Sequence, residues 1–308
     1  MTDVSVVVPT RNRADLLPLT MRSALGQRNV DLELVVVDDG SDDDTVRLVT
    51  HVDDPRVRLV RHERPCGVSA ARNSGIAAAR GRWVALLDDD DVWAPDKLAT
   101  QLVAAGQVRR SWVYTGDVGV DSDLQVVSGA PPPAPEQVMA ALPHHNAVPA
   151  GASNVMATAD LFTRVGAFDQ DLHNNEDWDM WLRLAADGPP AWVPRPLVAY
   201  RLHAGNASRN MARMLAELEV IARRHMVPVD RAAHHRWAAW SELADGRRWR
   251  AVSHYMAAVR RGDVASLPRA AVATVLGRRV VDVRTRNSAG VLWAAEAQRW
   301  LDDLQATS

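Results

Sequence analysis

The chain carries one cysteine, two phenylalanines and three tyrosines in 308 residues. The lone Cys66 excludes an intramolecular disulfide and a cysteine-based zinc site, and it fits a reducing compartment. No stretch reaches the roughly 18 consecutive apolar residues of a membrane span. Val4-Ser5-Val6-Val7-Val8 is preceded by no basic segment, long apolar core or cleavage site, so no secretory leader is expected. These absences describe a cytoplasmic protein, or one peripheral to the inner membrane face. No glycine-rich, lysine-containing phosphate loop follows the first apolar run, which argues against a nucleotidyltransferase acting on a nucleoside triphosphate. Lysine is also missing from 205–308, where 17 arginines face 10 acidic residues, a net charge of +7. Residues 1–204 hold 19 basic and 28 acidic residues, a net charge of −9.

Against that background one run stands out: Trp83-Val84-Ala85-Leu86-Leu87-Asp88-Asp89-Asp90-Asp91-Val92-Trp93. An apolar strand ends in four consecutive carboxylates. Adjacent like charges repel, and burying any of them unpaired costs several kcal/mol. A bound cation offsets that repulsion. Mg²⁺ or Mn²⁺ prefers hard oxygen ligands and commonly takes one or two carboxylates together with substrate phosphates. A solvated acidic turn is the competing explanation for such a run in isolation. The same pattern recurs in Val35-Val36-Val37-Asp38-Asp39-Gly40-Ser41, where a carboxylate can accept from a base N–H or a ribose hydroxyl, or simply cap a helix.

The surrounding segments alternate. Val4–Val8, Leu32–Val37, Val57–Arg61 and Trp83–Leu87 read as buried parallel strands. Ala14–Leu25, Asp42–Val52 and Ser69–Ala79 read as helices, with Pro18 early enough in the first to be tolerated. This is an α/β pattern: an open, mostly parallel sheet with helices on both faces. Ligands in such sheets sit beyond the carboxyl ends of the strands. Pro9-Thr10-Arg11, Asp38–Ser41 and Asp88–Asp91 are therefore expected on one rim. Ser128–Pro135 reads as a surface loop, and a helix is expected from about Trp178 to Ala186. Beyond Asn206 a long Ala- and Arg-rich helical periodicity, broken near Pro228, Gly246, Gly262 and Pro268, reads as a C-terminal helical appendage.

Taken in order, three blocks resemble the inverting family-2 glycosyltransferases with a GT-A type nucleotide-binding fold. They are Val4–Arg13, Asp38–Thr45, and Gly67–Gly75 leading through Gly81 to Leu87–Asp91. The resemblance covers about the first hundred residues. It implies a GT-A domain over 1–204, with a nucleotide-sugar half (1–115) and an acceptor-side half (116–204), followed by the appendage at 205–308. It implies donor contacts from Pro9, Thr10, Arg11 and Asp39, with Arg72 and Asn73 on a helix facing the nucleotide-sugar; for Arg72 a structural cap or salt bridge is the alternative. Asp88-Asp89-Asp90 resembles the family's Asp-x-Asp motif, with Asp88 supporting, Asp89 near the ribose or sugar, and Asp90 on Mn²⁺ or Mg²⁺.

Asn174–Trp181 resembles the family's acceptor-side segment, in which Asp177 matches the general base and Glu176 and Trp178 stand beside the acceptor. Asp179 would then supply only helix N-terminal charge. Trp178 and Trp181 are three apart, so one could stack on a sugar, although a core role fits large aromatics better. Tyr200–Ser208 resembles a segment whose histidine, here His203, lies near the metal. His144-His145 and His234-His235 have no such context and read as surface residues, and Cys66 has neither a base nor a partner thiol for nucleophilic work.

The function implied is metal-dependent inverting transfer from a nucleotide-sugar, preferably a UDP-sugar, to a hydroxyl of a saccharide, lipid-linked or small-molecule acceptor. A sugar-nucleotide-binding protein without transferase activity is the alternative. The basic helices suit peripheral membrane contact or a homodimer. No nucleic-acid partner is expected, because no nucleic-acid motif accompanies the charge.

Overall fold

The computed structural model describes residues 2–203, 211–276 and 291–306. The 204/205 boundary and the Ala204–Ser208 part of the His203 segment lie outside the described residues. Four strands, β1 (Val4–Thr10), β2 (Leu32–Asp38), β3 (Val57–Arg61) and β4 (Trp83–Leu86), pair in parallel in the order β3-β2-β1-β4. Every residue of β1 and β2 is buried, as continuous β-branched runs covered on both faces require. Helices α1 (Leu17–Leu25), α2 (Thr45–Thr50) and α3 (Val68–Ala78) connect them. Pro18 sits at the start of α1, where its missing N–H costs nothing. Helix α3 approaches the sheet so closely that a Cβ on Gly75 would stand 2.2 Å from Val7 Cγ1.

Helix α2 is shorter than the acidic stretch before it suggests. Asp43 accepts hydrogen bonds from the backbone N–H groups of Ala14 and Thr45, so these carboxylates stabilise a loop ahead of the helix rather than its first turn.

The sheet then changes character. Strand β8 (Met156–Thr158) joins β4 antiparallel, followed by β6 (Trp112–Val120), β9 (Ala191–Arg201) and the two-residue β5 (Val92–Trp93). Strands β6 and β9 are parallel, whereas β8 and β5 run antiparallel to their neighbours. The sheet is thus parallel over β3-β2-β1-β4 and mixed beyond β4.

The Ser128–Pro135 loop is a correction. Val126–Ala130 forms an edge strand, β7, paired with β6, and Pro135 opens helix α5 (Pro135–Ala141). Proline is suited to a first helical position, so the segment is irregular only over 131–134.

Helices α4 (Lys97–Val108), α6 (Ala159–Val165) and α7 (Glu176–Asp187) complete the body. Further along the chain come α8 (Met211–His225), α9 (Arg231–Ala244), α10 (Arg248–Val259), α11 (Ser266–Leu276) and α12 (Val291–Ala306). Pro268 lies inside the first turn of α11 and does not break it.

The basic helices do not form a single unit. Met214, Leu218 and Ile221 of α8 share a core with Trp178 and Trp181. Trp293, Ala297, Trp300 and Leu301 of α12 share a core with β6 and β9, and Trp293 and Trp300 donate their indole N–H groups to the carbonyls of Asp117 and Pro196. A third, small core joins α9, α10 and α11 through Ala239, Leu243, Ala251, Tyr255, Ala270 and Ala273.

Candidate functional site

The three polar clusters meet at the carboxyl ends of the parallel strands. Thr10 pairs in register with Asp38, and Asp39 donates its N–H to the Thr10 carbonyl (2.8 Å). Pro9 and Thr10 are buried at the end of β1, and Arg11 is exposed just beyond.

The Asp39 carboxylate is held from three sides. Its Oδ1 accepts the Cys66 N–H and hydrogen-bonds to His62 Nδ1, and its Oδ2 accepts the Gly67 N–H, each at 2.8 Å. His62 Nε2 in turn meets Ser74 Oγ at 2.8 Å. Gly40, at φ +70°, lets this loop pass, since a Cβ there would stand 2.9 Å from the Arg64 carbonyl carbon. His62 went unnoticed in the sequence, yet a signal existed. Asp38 and Arg61 are register partners, so the residues that follow each of them, Asp39 and His62, emerge side by side.

The four aspartates split four ways. Asp88 pairs with Arg72 (2.7 Å), Asp89 faces Arg13 (3.6 Å), and Asp90 pairs with His203 Nε2 (2.8 Å). Asp91 is fully buried, accepting from the Ser153 hydroxyl and the Arg201 N–H. The Arg201 guanidinium donates to the carbonyls of Asp90 and Leu16 and to the Thr20 hydroxyl, which fixes the turn that carries the carboxylates. Burial and the adjacent Asp90 push the Asp89 carboxyl up to about 7. Asp91 is raised for the same two reasons. The repulsion anticipated from the sequence is therefore present in the fold.

Arg72 and Asn73 do not both face a donor. Arg72 is buried and bridges Asp88 (2.7 Å) and Glu176 (2.8 Å), two groups whose charge raises its pKa against the opposing effect of burial. Asn73 is a correction. Its amide donates to the Phe168 carbonyl (2.9 Å) and accepts the Phe168 N–H (2.7 Å), so both ends are occupied by backbone.

On the acceptor side, α7 presents Asp177 half-buried at its first turn. Asp177 Oδ2 accepts from Asn146 Nδ2 (3.0 Å), and Oδ1 accepts the Trp178 N–H (2.6 Å). Burial, then the neighbouring Glu176 charge, push its carboxyl up to about 7, with Asp88 adding to the effect. Asp88 in the donor rim thus acts electrostatically on Asp177.

Trp178 is a second correction. It is 0% exposed, donates its indole N–H to the Leu142 carbonyl (2.8 Å) and stacks on His234, so it is a core residue with no surface to offer an acceptor. His234 is accordingly buried, not on the surface. Asp179 does more than add helix N-terminal charge. Burial would raise its pKa, but His225, Arg183 and Arg224 hold it well below the usual carboxylate range.

Two further residues organise this wall. Glu217 of α8 accepts the successive N–H groups of His173, Asn174 and Asn175, each at 3.0 Å, immediately before α7. Asn146 fixes the Asp177 carboxylate. No local pattern marks either one, because each acts on a segment far along the chain.

Asp90 and His203 offer an oxygen and a nitrogen donor beside two more carboxylates, and a cation held there would relieve the raised Asp89 carboxyl. That donor set fits the hard-ligand preference of Mn²⁺ or Mg²⁺. Among the described residues, the three-residue group with metal-ligand spacing is Asp39, His62 and Cys66, on the base side of the rim. Its sulfur and nitrogen are ill matched to a hard cation.

Residues 5–119 match the family model "Glycosyl transferase family 2". That segment of the chain is similar to glycosyl transferase family 2. Over 126 residues it is 45% identical to the succinoglycan biosynthesis protein ExoO of Rhizobium meliloti, which covers 41% of this chain and about a third (34%) of that relative. It is 26% identical over 236 residues to WfaP of Escherichia coli, named as a UDP-Glc:α-D-GlcNAc-diphosphoundecaprenol β-1,3-glucosyltransferase, covering 76% of this chain and 89% of WfaP. In three dimensions it matches S. aureus TarS 1-349 in complex with UDP, with a TM-score of 0.58 and 16% identity over 92% of this chain and 89% of TarS 1-349. That likeness establishes the GT-A fold, including its C-terminal helices. No helix among the described residues is long and apolar enough to cross a membrane.

Proposed function

We propose that the chain transfers a sugar, with inversion, from a UDP-sugar to a hydroxyl of a saccharide acceptor, with Asp177 as general base. One observation carries this most directly: a carboxylate raised to about 7, at a helix start on the acceptor side, lies within electrostatic reach of the donor-rim carboxylates. A general base works best when its pKa lies near the operating pH.

Asp39, held rigidly by His62 and two backbone N–H groups, keeps one lone-pair site on Oδ2 to accept an imide N–H of the base. Thr10 and Arg11 flank it, and Asp89 faces the ribose or sugar. Asp90 and His203 would hold Mn²⁺ or Mg²⁺, which neutralises charge on the departing nucleoside diphosphate when bound. Arg72 ties Asp88 to Glu176, so the rim that orients the donor and the helix that carries the base keep a fixed relation. Asp177 removes the acceptor hydroxyl proton as that oxygen attacks the anomeric carbon, from the face opposite the leaving group. Transfer in one displacement inverts that centre.

The UDP complex of TarS and the UDP-Glc donor in the name of WfaP support uridine over other bases, and the WfaP acceptor supports a lipid-linked saccharide. Thermal unfolding with UDP, dTDP and GDP, with and without Mn²⁺, tests the donor half. A nucleotide at ~100 times its dissociation constant adds about 2.7 kcal/mol to stability. UDP with Mn²⁺ is expected to give the largest shift. Equal shifts from all three nucleotides would remove the uridine assignment.

A further inference from the structure

Helix α11 is amphipathic in an inverted sense. Its buried side is small, formed by Ser266, Ala270 and Ala273 against α10. Its exposed side carries Leu267, Val272, Val275 and Leu276, which are 50%, 43%, 78% and 48% exposed, with Val264 in the preceding turn at 71%. Leu267 and Val275 are eight apart, Val272 and Leu276 four apart, so they form two adjacent stripes of one face. Ala271 and Pro268 fill the gaps between them, and both are exposed. Arg269 is the one charged residue in the helix.

The neighbouring helix α10 and the turn after it are basic. Arg248, Arg250 and Arg260 of the neighbouring α10 and the turn after it are exposed and enter no salt bridge among the described residues. The acidic residues nearby are already paired: Glu242 and Asp245 with Arg247, and Asp263 with Arg236. Trp249, 62% exposed, lies under the Arg248 guanidinium at 5.1 Å. An aliphatic helix face beside unpaired arginines and an exposed tryptophan is the composition of a helix that lies in the interface of an anionic bilayer. The face also belongs to the small core of α9, α10 and α11, which has no residue in common with the two larger cores among the described residues.

We propose that the exposed face of α11, with Trp249, Arg248, Arg250 and Arg260, docks the protein onto an anionic phospholipid surface. The aliphatic side chains enter the acyl boundary and the guanidinium groups meet lipid phosphates. This assignment stands apart from the transferase chemistry, because it uses no residue of the donor rim or the acceptor wall.

Flotation of the full chain with phosphatidylglycerol-containing vesicles, compared with pure phosphatidylcholine vesicles, tests it without any nucleotide or acceptor. Binding is expected to the anionic vesicles only, and to weaken with salt. The double variant Leu267→Glu, Val275→Glu should lose at least ten-fold in binding, with an unchanged melting temperature because both residues are exposed. Arg248→Glu and Arg250→Glu should each cost about five-fold or more, as arginines near an anionic surface do. Equal binding of wild type and the double variant would overturn the proposal, as would no binding to either vesicle. Sedimentation velocity covers the other occupant: a wild-type dimer that the double variant converts to monomer, without vesicle binding, would assign the face to a second copy and overturn it equally.

Discussion

The Asp39 turn and the segment that opens α7 differ in how far along the chain their partners lie. Asp39 is held by residues 23, 27 and 28 positions away, all on the next strand and its loop. The acceptor wall is assembled at long range. Glu217 reaches back 42 to 44 residues to the segment before α7, and Arg72 reaches forward 104 to Glu176. The Asp39 turn is held locally, whereas the aspartate run, tied to Ser153, Arg201 and His203, and the segment before α7, tied to Glu217, depend on distant parts of the chain.

Breaking each region should therefore have a different signature. Asp177→Asn is expected to lower transfer about 10²–10⁴-fold, the usual worth of a general base, while UDP affinity stays the same. Transfer rates with a water-soluble acceptor, set beside calorimetric UDP binding, provide the check. Asp179→Asn should destabilise the fold by about 3 kcal/mol, since it leaves Arg183, Arg224 and His225 facing a lost buried charge. The lower end of the usual range applies because the Arg224 side chain is 39% exposed. Denaturant unfolding measures that loss. Its carboxyl is depressed in the fold, so the stability it contributes is present above the unfolded pKa near 4 and disappears as pH falls through the depressed value.

Glu217→Gln is a gentler cut through the same wall. It weakens charge-assisted bonds to three backbone N–H groups, for a loss of about 1.5–3 kcal/mol. The distinguishing result is a fall in kcat with unchanged UDP affinity. A change in UDP affinity alone would erase the division between rim and wall. The smallest effect is expected on the rim side. His62→Ala removes one of the contacts holding Asp39 and should weaken UDP binding by about 1 kcal/mol without changing kcat.

The same contrast governs what could be read from the amino-acid order. Strands β1 to β4 were legible because each is an unbroken β-branched run, and their polar ends had to converge once the sheet was parallel. The four carboxylates after β4 announced electrostatic stress, and raised carboxyl groups at Asp89 and Asp91 bear it out. Asn73 was misread because an amide serves a ligand and a backbone equally well, and Phe168 lies 95 residues away. His234 was misplaced for a similar reason: it stacks on Trp178, which takes the core role that large aromatics favour. Their mutual stacking needs α9 folded back over α7, which no periodicity reveals. Ser128–Ala130 looked too rich in turn residues for a strand, yet an edge position against β6 accepts them.

The central claim is that Asp177 is a base tuned by its surroundings to titrate near neutrality. Its carboxyl is raised to about 7, so it must lose its proton before it can accept one from the acceptor. The decisive measurement is the pH dependence of single-turnover transfer between pH 5 and 9 with saturating UDP-sugar. The account predicts a rate that falls roughly tenfold per pH unit below about 7 and levels off above it. A rate that stays flat from pH 5 to 8 would contradict it.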